Sequence, residues 1–260
     1  LSEDQVLHDG LSDMVTVGMS CGDKHAFLYV YFLISFLFFL HHRCQMQDAL
    51  SRPPAQYNEW VYSREARAYR GRVFSEEWSW LSRTDWKVVP VWLVVAAYLF
   101  PGVQYWMVVL GAAVCLWPFV EEMMHRHVFH MKPTTQVTQM LHFALHGIHH
   151  AAPTDLQHLV LPYTASAPLA VLFYCAFRVA TLGNSALCNA LMCGFLLGYV
   201  RYDLTHYMLH SCSPKQLCDA TSPYLPSSLL EYYAKLHRNH ARHHFQDHTQ
   251  TFAVSFNGDI

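Results

Sequence analysis

Nineteen of the 260 residues are histidine, and most of them fall in two clusters. The first reads His125-Arg126-His127-Val128-Phe129-His130, then His142, then His146-Gly147-Ile148-His149-His150. The second reads His206-Tyr207-Met208-Leu209-His210, then His237, then His240-Ala241-Arg242-His243-His244, then His248. Neutral imidazole is the commonest protein metal ligand, so the chemistry at issue is metal binding. Spacing selects among the rings. Residues three or four apart share a helix face, which groups His206 with His210, His146 with His149 and His150, and His240 with His243 and His244. His125 and His130 are five apart, roughly 140° round an α-helix, and converge only if a π-helical turn or a helix end intervenes. The motifs supply ten imidazoles: His125, His130, His146, His149, His150, His206, His210, His240, His243 and His244. Ten are too many for one ion. They suit a dimetal centre with about five nitrogens on each ion and an open position for a reactant.

A lone histidine on an apolar helix face is more often a satisfied core residue than a ligand; four regular motifs in one chain are a different case. His8, His25, His41, His42 and His158 lack that context and read as ordinary polar residues. His127, His142, His237 and His248 lie near the site in sequence, with a supporting or solvated role expected, and His142 stands four before His146. A ligating imidazole usually donates its other N–H to an oxygen. The candidate acceptors are Glu121, four before His125, Asp203, three before His206, and Asp155, which follows the His149-His150 pair; Glu122 is weaker.

The elements that must position these residues are apolar. The chain is 53% hydrophobic and 14% charged, against about a quarter charged in ordinary soluble domains. Apolar runs cover 88–100 and 103–120, separated by the turn signal Pro101-Gly102, and 159–180 and 185–200, separated by 181–184 with Gly183-Asn184. Three of these runs, all but 159–180, are somewhat short against the roughly 20 residues of a perpendicular span. Paired, they read as two transmembrane helical hairpins, four spans in an all-α integral membrane protein. Pro90, Pro118 and Pro168 are predicted to end or kink helices. Each histidine cluster follows the return arm of a hairpin, so both emerge on one side as a histidine-rich helical cap. Arg83 and Lys87 precede the first hairpin, Arg126 and Lys132 lie between the two, Arg201 and Lys215 follow the second, and neither connecting turn carries a basic residue. The positive-inside rule then makes the cap cytosolic. A further apolar run, 27–40, is a signal-type segment, an interfacial helix or a fifth span. Residues 1–54 are read as an N-terminal extension and 55–260 as the membrane domain. A net charge of −2 gives no reason to expect nucleic acid as a partner.

The four motifs HRxxFH, HGxHH, YDxxHYxxH and HxxHH, here beginning at His125, His146, Tyr202 and His240, closely resemble those of the fatty acid hydroxylase superfamily of integral-membrane diiron enzymes. Within it the chain is most similar to the fatty acid 2-hydroxylases of sphingolipid acyl chains. Three stretches carry that narrower likeness: Tyr57-Asn58-Glu59-Trp60-Val61, then Pro153-Thr154-Asp155 running to Leu159-Val160-Leu161-Pro162, then Tyr202-Asp203-Leu204-Thr205-His206-Tyr207. The resemblance spans about residues 55–250.

It implies that the ten histidines hold two iron ions, that the reaction uses O2, and that C2 of a long fatty acyl chain, as free acid, acyl-CoA or ceramide, is hydroxylated. It also implies residence in the endoplasmic reticulum membrane. Many members carry a cytochrome b5 domain with a His-Pro-Gly-Gly motif. That tetrapeptide does not occur here, so no haem is expected in this chain, and electrons are expected from a separate cytochrome b5 and an NAD(P)H-dependent reductase. The Glu-Tyr pair that often precedes the first motif reads Glu121-Glu122. The donor set would also accept zinc. Trp78, Trp80, Trp86, Trp106, Trp117, Tyr98 and Tyr105 are candidates for the membrane interface or an acyl channel. Two other readings remain: a sibling acting on sterols as an oxidase or desaturase, against which the 155–162 and 202–207 stretches argue, and a zinc-binding transporter. A transporter would place ligands within the spans, whereas the four runs hold only one basic or acidic residue, Arg178.

Overall fold

The computed structural model describes residues 47–69, 73–74, 76–99, 107–221 and 224–257. The run 27–40, His8, His25, His41, His42, the Pro101-Gly102 turn, Tyr105 and Trp106 lie outside these residues.

Among the described residues all regular secondary structure is helical. The helices are α1 (Pro54–Trp60), α2 (Val91–Leu99), α3 (Met107–Met124), α4 (Gln136–His142), α5 (Ile148–Ala151), α6 (Tyr163–Ala180), α7 (Ser185–Ser211), α8 (Pro214–Thr221) and α9 (Ser227–Phe245). The four paired apolar runs fall on α2, α3, α6 and α7, with α3 and α7 continuing past the ends of theirs. Two stretches, Met107–Phe129 and Leu156–Ala180, are long and apolar enough to cross a membrane, and Trp86–Tyr98 is a shorter apolar one. Val94, Val108, Leu116, Phe119, Leu172 and Val179 are exposed on these helices, as lipid-facing side chains would be. Of the aromatic candidates, Trp80, Trp86 and Tyr98 are exposed, while Trp117 is buried.

Of the three prolines predicted to end or kink helices, only Pro90 marks a helix boundary. Pro118 lies inside α3 and Pro168 inside α6, and neither ends its helix; Pro90 stands immediately before α2. In an apolar bundle, neighbouring helices and side chains can satisfy the backbone groups that a proline frees.

Close packing of α7 on α3 sets the register of the site. A Cβ on Gly194 would lie 2.5 Å from Cβ of Ala113 and 2.7 Å from the Leu110 carbonyl. A Cβ on Gly198 would lie 2.3 Å from the Trp117 ring. Glycines four apart thus let two helix backbones approach, as small-residue faces do in membranes. The same two helices carry histidine motifs at their ends. α3 leads directly into His125, and α7 runs beyond its apolar part to His206 and His210. Between α6 and α7 the chain reverses through Leu182 and Gly183, both at positive φ (50° and 80°). The Asn184 side chain accepts from the Leu187 N–H at 3.1 Å, and Arg178 donates to the Gly183 carbonyl at 2.8 Å. The charged residue of the apolar runs therefore ties the turn.

Two packed layers hold the cap. Tyr57, Trp60 and Val61 from the α1 region pack with Phe143, Ile148 and Ala151, fixing α4 and α5. Tyr233 and Leu236 of α9 pack with Tyr202, Leu209 and Val254, and Tyr233 Oη donates to the Met208 carbonyl at 2.8 Å.

Candidate metal centre

The awkward five-residue spacing is resolved locally. Residues His125–Phe129 form a π-helical turn, and the His130 N–H donates to the His125 carbonyl at 2.9 Å. The wider turn closes on the fifth residue instead of the fourth, so His125 and His130 return to one face with ring centroids 4.9 Å apart. A second π-turn, Phe143–Gly147, precedes α5 and aims His146 beside His150. Spacing gave no sign of that one.

The ten predicted histidines come together as two groups of five. One contains His125, His130, His146, His150 and His243; the other contains His149, His206, His210, His240 and His244. In each group one nitrogen per ring can be chosen so that all lie within 4.8 Å of one another. The facing atoms are Nε2. In the first group, His125–His146 is 3.1 Å, His146–His150 3.1 Å, His150–His130 3.2 Å and His130–His243 3.0 Å. In the second, His206–His149 is 3.0 Å, His149–His244 2.9 Å and His210–His240 2.8 Å. The two groups touch where the His150 and His244 rings stack at 4.2 Å.

These distances fit metal ions. Imidazole nitrogens about 2.1 Å from an ion and at right angles would sit about 3.0 Å apart, and opposite ones about 4.2 Å apart. Protonation argues the same way. Burial pushes His146, His149, His150, His240 and His244 well below the ordinary imidazole range, with repulsion among the rings adding to it. His210 comes down to about 3, chiefly through burial. Neutral rings with converging lone pairs are a borderline nitrogen donor set suited to iron or zinc.

The outer nitrogens fix the tautomers. Nδ1–H of His125 donates to the Phe252 carbonyl (2.6 Å), that of His206 to the Leu159 carbonyl (3.0 Å) and that of His243 to the Gln250 carbonyl (2.8 Å). His210 hydrogen-bonds the backbone of Pro153. A carbonyl can only accept, so in the first three Nδ1 holds the proton and Nε2 presents its lone pair.

The acidic residues act one step further out than expected. Glu121 Oε1 accepts from the N–H groups of Val254 (2.8 Å) and Ser255 (2.7 Å), and Oε2 meets the Ser255 hydroxyl. Asp203 accepts from the Leu161 N–H at 3.2 Å. Neither is bonded to the histidine one turn on. Each instead anchors a backbone segment whose carbonyl receives that histidine's Nδ1–H: 252–255 for His125 and 159–161 for His206. Asp155 touches none of the ten. It pairs with His158 Nδ1 at 2.9 Å and caps Gln157 N–H at 3.1 Å, shaping the 153–161 loop. His158, expected to be unrelated, is thus a buried part of that loop. Glu122 is paired with Arg126.

Of the near-site histidines, His127 is exposed and His237 half-buried. His142 is fully buried and His248 stacks on Tyr62 at 3.8 Å between ring centroids. The residues that sequence reasoning missed are Tyr62 and the tail 250–255. Neither carries a motif; only their contacts reveal them.

An apolar cavity lies among the helices, lined by Trp92, Trp117, Phe173, Phe195, Phe129, Leu161 and Tyr202. A second, more polar cavity shares Phe129, Leu161 and Tyr202 and reaches His146, His149 and His206.

An all-helical scaffold with apolar, outward-facing helices and two buried five-imidazole groups defines a membrane protein built round a site suited to metal. No family model matches the chain, but curated relatives do. A dihydroceramide fatty acyl 2-hydroxylase of Arabidopsis thaliana is 34% identical over 211 residues, 76% of this chain and 81% of the relative. The fatty acid 2-hydroxylase of Rattus norvegicus is 33% identical over 77% of this chain; the match spans 57% of the rat protein. The solved structure of full-length scs7p, in which only the hydroxylase domain is visible, matches with a TM-score of 0.59 and 29% identity, covering 70% of this chain and 66% of that one. The chain belongs to the fatty acid 2-hydroxylase family, whose members are oxidoreductases.

Proposed function

We propose that the protein hydroxylates C2 of long fatty acyl chains destined for or present in sphingolipids. The observation that carries this is the pair of cavities. An apolar cavity sized by Trp117, Phe173 and Phe195 adjoins, through Phe129, Leu161 and Tyr202, a second cavity edged by His146, His149 and His206. An acyl tail in the first puts its polar end, and the neighbouring C2, beside the imidazoles. The names of the curated relatives, fatty acyl and ceramide hydroxylases, support the same substrate class.

On this reading His125, His130, His146, His150 and His243 hold one iron ion and His149, His206, His210, His240 and His244 the other. Glu121, Asp203 and Asp155 position the backbone that orients them. Bound there, the two ions supply the O2 chemistry that side chains cannot. The protein's own work is to keep ten rings neutral, to hold Nε2 inward by fixing Nδ1–H on carbonyls, and to exclude water with Phe129 and Tyr202. Electrons come from a separate cytochrome b5 and its NAD(P)H-dependent reductase. Four spans, formed by α2, α3, α6 and α7 as two hairpins in the endoplasmic reticulum membrane, turn the histidine cap to the cytosol.

The test is expression in cells that lack 2-hydroxylase, with sphingolipid mass spectrometry and elemental analysis of the purified protein. The wild-type chain restores 2-hydroxy sphingolipids, and the double variant His149→Ala, His150→Ala does not. Restoration by the double variant, or a sterol product in place of hydroxylated sphingolipid, overturns the assignment.

A further inference from the structure

We propose that Tyr62, His142 and Tyr57 form a directional hydrogen-bond chain that holds His130 in its metal-binding tautomer, and that the glycine of the HGxHH motif is required to admit this chain. The inference rests on the metal reading above. Four observations carry it. Tyr62 Oη is 3.2 Å from His130 Nδ1 and 3.0 Å from His142 Nε2. Tyr57 Oη is 2.6 Å from His142 Nδ1. Tyr57 and His142 are fully buried. A Cβ on Gly147 would lie 2.7 Å from Tyr57 Oη and 2.9 Å from His142 Nδ1.

The direction follows from the outer end. His130 Nε2 faces Nε2 of His150 and His243 at 3.2 and 3.0 Å. With Nε2 as the ligand atom, the ring proton sits on Nδ1 and is donated to the Tyr62 oxygen. A hydroxyl has one proton, so Tyr62 donates its own to His142 Nε2. The His142 proton is then on Nδ1 and is donated to the Tyr57 oxygen. Running the chain backwards puts the His130 proton on Nε2, where it blocks the ion. His125 and His243, in the same group, avoid this ambiguity because carbonyls receive their Nδ1–H. His130 is met there by a group that can donate as well as accept, so it needs a chain behind it. His248 stacks over Tyr62 at 3.8 Å, and the Tyr62 ring lies nearly parallel to that of His130 with centroids 5.4 Å apart, which limits rotation of the phenol.

These are positioning residues, and metal binding rather than turnover reads them. The full chain in detergent is loaded with Co2+, and affinity is followed by chelator competition, with the cobalt absorption spectrum and thermal unfolding recorded alongside. Tyr62→Phe, His142→Leu and Gly147→Ala are expected to weaken one of two ions about 10- to 100-fold, the usual cost of losing an outer hydrogen-bond partner, and to change the spectrum of that ion alone. The second ion, held by His149, His206, His210, His240 and His244, stays bound and shows that the variants are folded. His142→Gln offers one acceptor and donors in one plane and is expected to restore most of the affinity that His142→Leu loses. The proposal is overturned if Tyr62→Phe binds both ions with wild-type affinity and spectrum, or if His142→Gln is as weak as His142→Leu in folded protein. If the wild-type chain binds no metal, it is the metal reading itself that fails.

Discussion

Removing the Glu121 carboxylate should unload one half of the centre and spare the other. In Glu121→Ala the N–H groups of Val254 and Ser255, held at 2.8 and 2.7 Å on Oε1, lose their acceptor inside the protein. Each buried donor left unpaired costs about 1–3 kcal/mol, so the pair costs about 2–6 kcal/mol. The tail has a cheaper course, which is to leave. It is already bent through Thr251 at φ 54°, a conformation that costs a β-branched residue about 1–3 kcal/mol. If the tail leaves, His125 loses the Phe252 carbonyl and His243 loses the Gln250 carbonyl. At about 10- to 100-fold per outer partner, affinity for the ion in the first group falls about 10²- to 10⁴-fold. The second group depends instead on Leu159 and Pro153 and keeps its ion. Glu121→Gln keeps a carbonyl oxygen for both N–H groups and should lie close to wild type. Elemental analysis after a fixed chelator challenge, with thermal unfolding of the same samples, reads the difference: two ions in wild type and Glu121→Gln, one in Glu121→Ala. Two ions retained by Glu121→Ala would refute the idea that this carboxylate holds the tail and the tail holds the rings.

Asp203→Ala is the mirror experiment: it frees the Leu161 N–H and, through it, the Leu159 carbonyl on His206, so the ion of the second group should weaken about 10- to 100-fold while the first is kept. Gly194→Ala sets a methyl 2.5 Å from Ala113 Cβ and 2.7 Å from a backbone oxygen; overpacking of this kind costs about 1–3 kcal/mol, to be seen as a lowered unfolding temperature with both histidine groups displaced relative to each other. In metal-free protein, burial lowers His142 to about 4 from an unfolded value of 6.5. The unfolded chain therefore takes up the proton first as pH falls, and the stability this ring contributes is complete above pH 6.5 and is lost between 6.5 and about 4, roughly 3 kcal/mol in all. Chemical unfolding of wild type against His142→Gln across that range checks it, because the other buried histidines contribute to both; a difference of opposite sign would show that His142 is charged in the fold.

The sequence makes the ten histidines and the helices bearing them legible because both rest on period: three- and four-residue spacing for the rings, long apolar runs for the helices. Even the π-turn at His125–Phe129 is one of the two ways, with a helix end the other, in which the five-residue gap lets those rings converge. What it does not show is which ring joins which ion. His149 and His150 are adjacent yet belong to different groups, as do His243 and His244, because neighbours on a helix point about 100° apart and the boundary between the groups passes between them. Pairing of that kind depends on how α3, α5, α7 and α9 cross, and the crossing of α3 and α7 is set by Gly194 and Gly198. Nor does spacing reveal the carbonyls of 159, 250 and 252, since any residue supplies a carbonyl. Pro118 and Pro168 do not end their helices for a related reason: the backbone group each frees is a local defect that packing in an apolar bundle can offset.

The placement of Glu121 and Asp203 has an electrostatic logic that their sequence positions hide. Two divalent ions in shells of neutral imidazole would be a large buried positive charge, and carboxylates are the natural offset. A carboxylate bonded straight to Nδ1 would pull the proton strongly and alter the ring's donor strength at one ligand only. Here the carboxyl group stands behind a backbone segment: its oxygens take the N–H of Val254 and Ser255, or of Leu161, and the carbonyls of Phe252 and Leu159 a short way along the chain take the ring proton. The peptide that donates to each carboxyl is not the one whose carbonyl takes the ring proton, so each carboxyl group acts by fixing the position of the segment that orients a ligand, and its own charge stays off the ring. One carboxylate serves each group of five, on α3 for His125 and on α7 for His206, and the same helix supplies both the ligand and the charge that supports it. The two halves of the centre are thus built on one plan despite having no sequence repeat, and that is why the two single substitutions above should each remove a different ion.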